Sequence, residues 1–162
     1  MVLENTKKIA ISIAIGIGFL IIATTAGSYF AYLPNENGIM CEGSANCFTG
    51  TVAEVIDGDT IVVNDVHVRL ALTSTPELDD TYGIEAIEFT EGICPVGSNA
   101  LVDEDDGQTG GSYGRTIAKV YCGKTLLNSS LLEKGLATID RTFCDVSEFA
   151  AEDWAQKYGY QV

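Results

Sequence analysis

Asp57-Gly58-Asp59-Thr60 carries two carboxylates at i and i+2, on one face of the chain wherever the segment is extended. Clustered carboxylate oxygens of this kind take hard cations such as Ca²⁺. The same Asp-Gly-Asp string also makes ordinary turns, and taken alone the turn is the commoner reading. Arg69 interrupts the apolar run of Val66, Val68, Leu70 and Leu72. A strand arginine usually points to solvent, whereas a fork of donors at the rim of a barrel suits a phosphate. Thr75-Pro76-Glu77 then sets a carboxylate eight residues after Arg69, and Tyr113-Gly114-Arg115 brings a second arginine out of a glycine-rich loop. A cation and two arginines to neutralise a pentacoordinate phosphorus, with a carboxylate to help activate water, are the parts that phosphodiester hydrolysis needs. Each piece is bland alone; the set in this order is not.

The elements that must position these residues are short. Thr51–Ile56 alternates roughly and stops at Asp57-Gly58. Thr60–Val63 and Val66–Leu72 flank Asn64-Asp65, a two-residue spacing suited to a type I′ hairpin. In that hairpin Ile61 faces Val68 and Val63 faces Val66, with His67, Arg69 and Ala71 on the other side. His67, the only histidine, reads as a surface residue. Ala86, Phe89 and Ile93 recur at helical spacing, with Glu85, Glu88 and Glu91 outside. Ala100–Asp103 and Thr116–Tyr121 read as strands around the loop DEDDGQTGGSYG, and Thr125–Lys134 as a helix ended by Gly135. Asp145-x-x-Glu148 has the spacing of a capping box and predicts a helix over Val146–Tyr158. Five short strands with interspersed helices predict an α+β, mainly β, small barrel.

The order TVAEVIDGDT, VRLALTSTPE, YGIEAIEF, GQTGGSYGRTIAKVY, LLNSSLLEKGLA resembles the staphylococcal nuclease family, over about residues 49–154. The resemblance implies an OB-fold five-stranded barrel with about three helices that cleaves DNA and RNA with Ca²⁺. It makes Asp59 a metal-ligand aspartate and Asp57 a partner of the cation through water. It makes Arg69 and Arg115 phosphate-binding arginines, Glu77 the general base, and Thr75 a metal ligand through its backbone carbonyl. Tyr113 then lines the nucleotide pocket. The chain departs from the family pattern twice. Ser74 stands where the family has a second carboxylate ligand, and Ser112 where a lysine often precedes the tyrosine; Asp79 or Asp80 is the replacement oxygen nearest in sequence. The resemblance also implies antiparallel pairing of the last two strands, which brings Cys94 and Cys122 within bridging distance. Cys41, Cys47 and Cys144 are left to share one further bond.

Charge and hydropathy bear on partners and place. The sequence carries a net charge of −14 and only nine Lys/Arg, so tight or processive duplex binding is disfavoured. Single-stranded or unwound DNA or RNA is the substrate class that remains; no protein partner is inferable. Residues 9–35 are uncharged and Ile9–Ala23 is almost continuously apolar, longer than the roughly 20 residues that cross a bilayer. Lys7 and Lys8 precede the run and Glu36 and Glu42 follow it, which orients the N-terminus inward. The expected layout is a short cytoplasmic N-terminus at 1–8, a transmembrane anchor at 9–33, a linker at 34–47 and the nuclease-like domain at 48–162, outside the cell. Thr24-Thr25-Ala26 keeps a cleaved signal peptide, and hence a secreted domain, open. Five cysteines beyond the apolar run favour disulfides, and without a Cys-x-x-Cys pair zinc is disfavoured. Two rival readings keep the barrel without turnover: a nucleic-acid-binding module weakened at Ser74, and a protein-interaction scaffold.

Overall fold

The computed structural model describes residues 38–39 and 41–159. Among them no helix is long and apolar enough to cross a membrane. The anchor expected at 9–33, the residues before it and the first part of the linker lie outside the described residues.

Five strands close into a barrel: β1 (Cys47–Asp57), β2 (Thr60–Val63), β3 (Val66–Leu70), β5 (Asn99–Glu104) and β6 (Thr116–Cys122). β1 serves two partners, β5 along its first half and β2 along its second, with register breaks between Val52 and Glu54 and between Val55 and Asp57. Such breaks bend a strand and raise its twist, which a closed sheet requires. Closure is the parallel pairing of β3 with β6, Arg69 opposite Ile117. That single register decides the geography of the site, because it sets Arg69 beside the residues that follow Arg115.

The β2–β3 register is the predicted one, Ile61 opposite Val68 and Val63 opposite Val66. Ile61, Val63, Val68, Val102, Ala118 and Val120 fill the barrel, and all are fully buried. The connecting turn is not type I′: positive φ is confined to Asn64, at 54°, whereas type I′ needs it at both central residues. Asn64 is instead tied to β1, its N–H donating to the Thr51 carbonyl and its Oδ1 accepting from Thr51 N.

Helix α1 (Gly83–Ile93) covers one mouth of the barrel and α2 (Leu127–Lys134) packs beside it, ended as predicted by Gly135 at φ 77°. Short strands β4 (Thr73–Ser74) and β8 (Thr138–Ile139) pair with each other, and β7 (Thr125–Leu126) folds back antiparallel beside the end of β6. The bond Cys94–Cys122 joins the end of α1 to the end of β6, where β5 pairs antiparallel with β6 and Ala100 lies opposite Cys122. The second bond is Cys41–Cys47, and Cys144 is a buried free thiol.

Two expectations fail for tertiary reasons. The strand expected to run to Leu72 ends at Leu70, and Leu72 turns the chain at φ 56° while 2% exposed. A non-glycine residue in that region costs on the order of 1–2 kcal/mol, which burial of the leucine side chain offsets. The helix expected over Val146–Tyr158 is broken into a 3₁₀ turn, Glu148–Ala151, and α3 (Asp153–Lys157), with Glu152 extended between them. Ser147, not Asp145, caps the turn by accepting from Phe149 N. Glu148 is drawn to Asp106 N at 2.9 Å, and Glu152 to Lys119 Nζ and Trp154 Nε1, both at 2.7 Å. Partners distant in sequence outcompete the local capping box.

Asn128 on α2 fastens helix to barrel. Fully buried, it accepts from Val120 N at 3.0 Å and donates to the Ala71 carbonyl at 3.0 Å and the Ala118 carbonyl at 3.3 Å. Asn128→Ala takes the acceptor from Val120 N in a dry core, while the Ala118 carbonyl keeps Ala71 N and the Ala71 carbonyl keeps Thr73 Oγ1, so urea denaturation should show a loss of about 1–3 kcal/mol. A loss under about 0.5 kcal/mol would mean that water replaces the amide.

Candidate active site

The two-carboxylate turn sits beneath α1. Thr90 Oγ1 donates to the Gly58 carbonyl at 2.6 Å, and a Cβ on Gly58 would lie 2.6 Å from the Ala86 Cβ. Only glycine allows that approach, so the helix presses the turn into place. Asp57 Oδ1 accepts from Asp59 N at 3.0 Å, which fixes the next peptide and aims Asp59 inward, where it is 4% exposed.

Asp59 is the hub. Its Oδ2 accepts from Thr75 N at 2.7 Å and from Thr75 Oγ1 at 3.0 Å. Its Oδ1 accepts from Thr60 Oγ1 at 3.2 Å and forms an ion pair with Arg69 Nη1. Arg69 spends its other terminal nitrogen, Nη2, on Ser74 Oγ at 3.4 Å. The left-handed turn at Leu72 redirects Thr73-Ser74-Thr75 back toward Asp59 and so makes these contacts. Asp59, Arg69, Ser74 and Thr75, separate in sequence, thus share one place.

Arg115 enters from the other side of the closing seam. Ser112 and Arg115 exchange two backbone hydrogen bonds of 3.0 Å around Tyr113 and Gly114, at φ 52° and 78°. Positive φ at both central residues is the type I′ pattern. Arg115 Nε also donates to the Ser112 carbonyl at 3.2 Å, which leaves its terminal nitrogens for a ligand. Tyr113 stands 98% exposed at the tip. Arg69, Arg115, Ser112 and Tyr113 line one concavity of about 250 Å³ together with Gln108, Asp140 and Phe143. Burial pulls the Arg69 guanidinium below its ordinary pKa and nearby Arg115 adds to the pull, while Asp57, Asp140 and Glu77 oppose it. Two guanidiniums held close, one largely desolvated, form a place for an anion.

Glu77 is exposed on the turn before α1, close enough to influence Arg69. Asp79 and Asp80 are exposed on the same turn. Among the described residues, Asp57, Asp59 and Glu77 do not gather their oxygens into one three-ligand cluster. The grouping that does, Cys41, Cys47 and Asp103, has both sulfurs spent in a disulfide. The groups beside Asp59 that could ligate a metal, Thr60 and Thr75, offer oxygen, which fits a hard cation, although Arg69 already sets a positive charge against the same carboxylate. Asp59 is the one carboxylate at the hub, because Ser74 contributes a neutral hydroxyl. Asp140, Gln108 and Phe143 were not found by sequence reasoning, and no local pattern marks them; Asp140 caps the 3₁₀ turn Arg141–Phe143 by accepting from Thr142 N, and the fold carries it to the arginines.

Residues 67–158 match the family described as staphylococcal nuclease homologue. The chain belongs to the staphylococcal nuclease family. A thermonuclease of Staphylococcus hyicus is 38% identical over 104 residues, 58% of this chain and 60% of the relative. A thermonuclease of Staphylococcus intermedius is 35% identical over 96 residues, 53% of this chain and 56% of the relative. The chain therefore spans about 60% or less of the length of these relatives. The five-stranded barrel is the one expected for a staphylococcal nuclease domain, and Arg69 and Arg115 both fall inside the matched residues.

Proposed function

We propose that this staphylococcal nuclease domain hydrolyses phosphodiester bonds of single-stranded or unwound DNA or RNA in a Ca²⁺-dependent reaction outside the cell, tethered through residues 9–33. The observation that carries the reading is the convergence of Arg69 and Arg115 on one concavity beside Asp59, with Glu77 near enough to act on the Arg69 charge. The two relatives named thermonuclease support it. In this reading Arg69 and Arg115 bind the scissile phosphate and neutralise charge that grows in the transition state. Glu77 accepts the proton of the attacking water, and exposed Tyr113 offers a ring face to a base or sugar. Asp59, with Asp57 behind it and the Thr75 carbonyl, holds the cation, which supplies Lewis-acid stabilisation of the phosphoryl oxygens when bound. Arg69 is shared between Asp59 and the phosphate, so phosphate binding draws it off the carboxylate and frees an oxygen there.

Incubating the full-length chain with single-stranded DNA, in Ca²⁺ or in chelator, tests this. Degradation in Ca²⁺ alone is the expected result; equal degradation in both would remove the metal from the reading. A second reading, a barrel that binds single strands without cutting them, draws on one observation: both Asp59 carboxylate oxygens are already engaged by Arg69, Thr60 or Thr75. Binding without cleavage at any Ca²⁺ concentration selects it.

Ser74 sets the expected metal affinity. Cation affinity follows ligand charge count, and a site with one direct carboxylate belongs in the millimolar range of extracellular modules. Ser74→Asp adds a carboxylate where Ser74 Oγ now meets Arg69, and should lower the Ca²⁺ concentration for half-maximal activity by roughly tenfold. An unchanged Ca²⁺ titration would place residue 74 away from the cation.

A further inference from the structure

Residues 41–47, expected to be the end of a linker, are bound to the barrel. Asp106, two residues past the end of β5, receives four hydrogen bonds from this segment. Ser44 N donates to both carboxylate oxygens at 2.8 and 2.9 Å, Ser44 Oγ to Oδ2 at 3.0 Å, and Ala45 N to Oδ1 at 2.6 Å. The strap continues this contact at its two ends, Glu42 N donating to Asp103 Oδ2 at 3.1 Å and Asn46 N to Glu104 Oε2 at 3.2 Å. Gly43 makes the approach possible: it sits at φ 67°, and a Cβ there would lie 2.5 Å from both Asp106 Oδ1 and Glu148 Oε2. The strap is closed on itself by Cys41–Cys47, six residues apart.

Asp106 opens the loop that ends in Tyr113-Gly114-Arg115. It begins the 3₁₀ turn Asp106–Gln108, whose Gln108 lines the concavity shared with Arg69 and Arg115. The turn is braced from within by Asp105, whose Oδ1 accepts from Gly107 N at 3.0 Å and whose Oδ2 accepts from Gln108 Nε2 at 2.8 Å. The Gln108 carbonyl then accepts from Gly111 N at 2.8 Å, and Ser112 and Arg115 close the tip. From the far side Glu148 Oε1 accepts from Asp106 N at 2.9 Å. Glycines at 107, 110, 111 and 114 give the loop little stiffness of its own. Its stem needs external holds, and these are made at Asp105, whose Oδ1 also accepts from Glu148 N at 3.1 Å, and at Asp106, where the strap is bound.

We propose that the disulfide-closed strap is a clamp on the arginine-bearing loop, and that Asp106 is a positioning residue which, through the turn to Gln108, fixes where Tyr113 and Arg115 stand. The disulfide matters because it presents the Ser44 and Ala45 N–H groups together toward a single carboxylate; the open segment has to order six residues to do so. Backbone bonds from Ser44 and Ala45 hold the Asp106 carboxyl below its ordinary pKa, so it stays ionised and keeps accepting from both.

The kinetic arm of the test rests on the nuclease reading; a second arm does not. In the full-length chain, Asp106→Ala and the pair Cys41→Ser, Cys47→Ser should each speed amide hydrogen exchange at residues 107–115, with β2 and β3 unchanged. Each should lower kcat/KM on single-stranded DNA about tenfold, and Asp106→Asn, which keeps one acceptor oxygen, should recover part of that. Combining Asp106→Ala with both serines should be no worse than either alone, because all break one link. Unchanged exchange at 107–115 in both Asp106→Ala and Asp106→Asn overturns the clamp, as does full additivity in the combined variant. If the wild-type chain cleaves nothing, the nuclease reading fails by itself, and exchange at 107–115 still decides the clamp.

Discussion

Replacing Arg69 with lysine is expected to lower kcat on single-stranded DNA by about 10²–10³-fold, the usual loss when one preorganised donor to a developing oxyanion is removed. Arg69 bridges two partners, Asp59 through Nη1 and Ser74 through Nη2. An ammonium is a point charge and holds one of those places without the fork that grips a phosphate bidentately. Lysine still pairs with Asp59, so the fold should survive; a melting temperature within a few degrees of wild type is the control. Arg115→Lys should show a loss of similar size, because Arg115 hangs on the Ser112 carbonyl by Nε while its terminal nitrogens remain available. Near-wild-type rates in both variants would make these ordinary strand arginines and leave the binding-module reading standing.

The second large effect lies away from the site, at Lys119. This lysine is 1% exposed, with Glu152 at 2.7 Å, Asp103 and Glu42 each at 3.6 Å, and the Phe149 ring centroid at 4.5 Å from its Nζ. Burial works against its charge, but the hydrogen bond and charge of Glu152, with Tyr121 and Glu42, outweigh it and hold its pKa above the ordinary lysine value. Asp103 moves the other way from a usual paired carboxylate: burial raises its pKa, and Lys119 and the Glu42 N–H bond offset only part. Lys119→Met leaves Asp103 buried without a cation, so guanidinium unfolding at pH 7 should show a loss of about 3–5 kcal/mol. The pH dependence fixes the cause. A group bound more tightly to its proton in the folded state makes folding less favourable as pH rises through the interval between its unfolded and folded pKa values. With Lys119 gone the Asp103 interval widens upward, so the deficit should shrink as pH falls below the folded value, where Asp103 is neutral. A deficit independent of pH would assign it to lost packing on Phe149 instead.

How much was legible in advance differs residue by residue. The alternation around Asn64-Asp65 was enough to fix which side chains of β2 and β3 face the core, because a half-buried strand has period two and a two-residue turn permits one register. Gly135 ended α2 where expected because the helix stop is a local matter of φ. The pieces of the site, Asp59, Arg69, Thr75, Tyr113 and Arg115, were readable as residue types at intervals. Chemistry needs carboxylates and guanidiniums, and their positions in the chain are plain in the sequence.

What only the tertiary structure decided was where partners distant in the chain compete with local preferences. Asp145-x-x-Glu148 is a good capping box, yet Glu148 is drawn off by Asp106 N and Glu152 by Lys119, and the helix breaks. The pair that closes the barrel, β3 with β6, is encoded by no local pattern. That parallel seam brings Arg69 to Arg115, and the left-handed Leu72 brings Ser74 and Thr75 to Asp59. Asp140 reaches the arginines and Ser44 reaches Asp106 for the same reason: the contact is long-range and exists only once the barrel has closed. The sequence by itself determined which groups are available and which faces are apolar; closure of the sheet determined which of those groups meet.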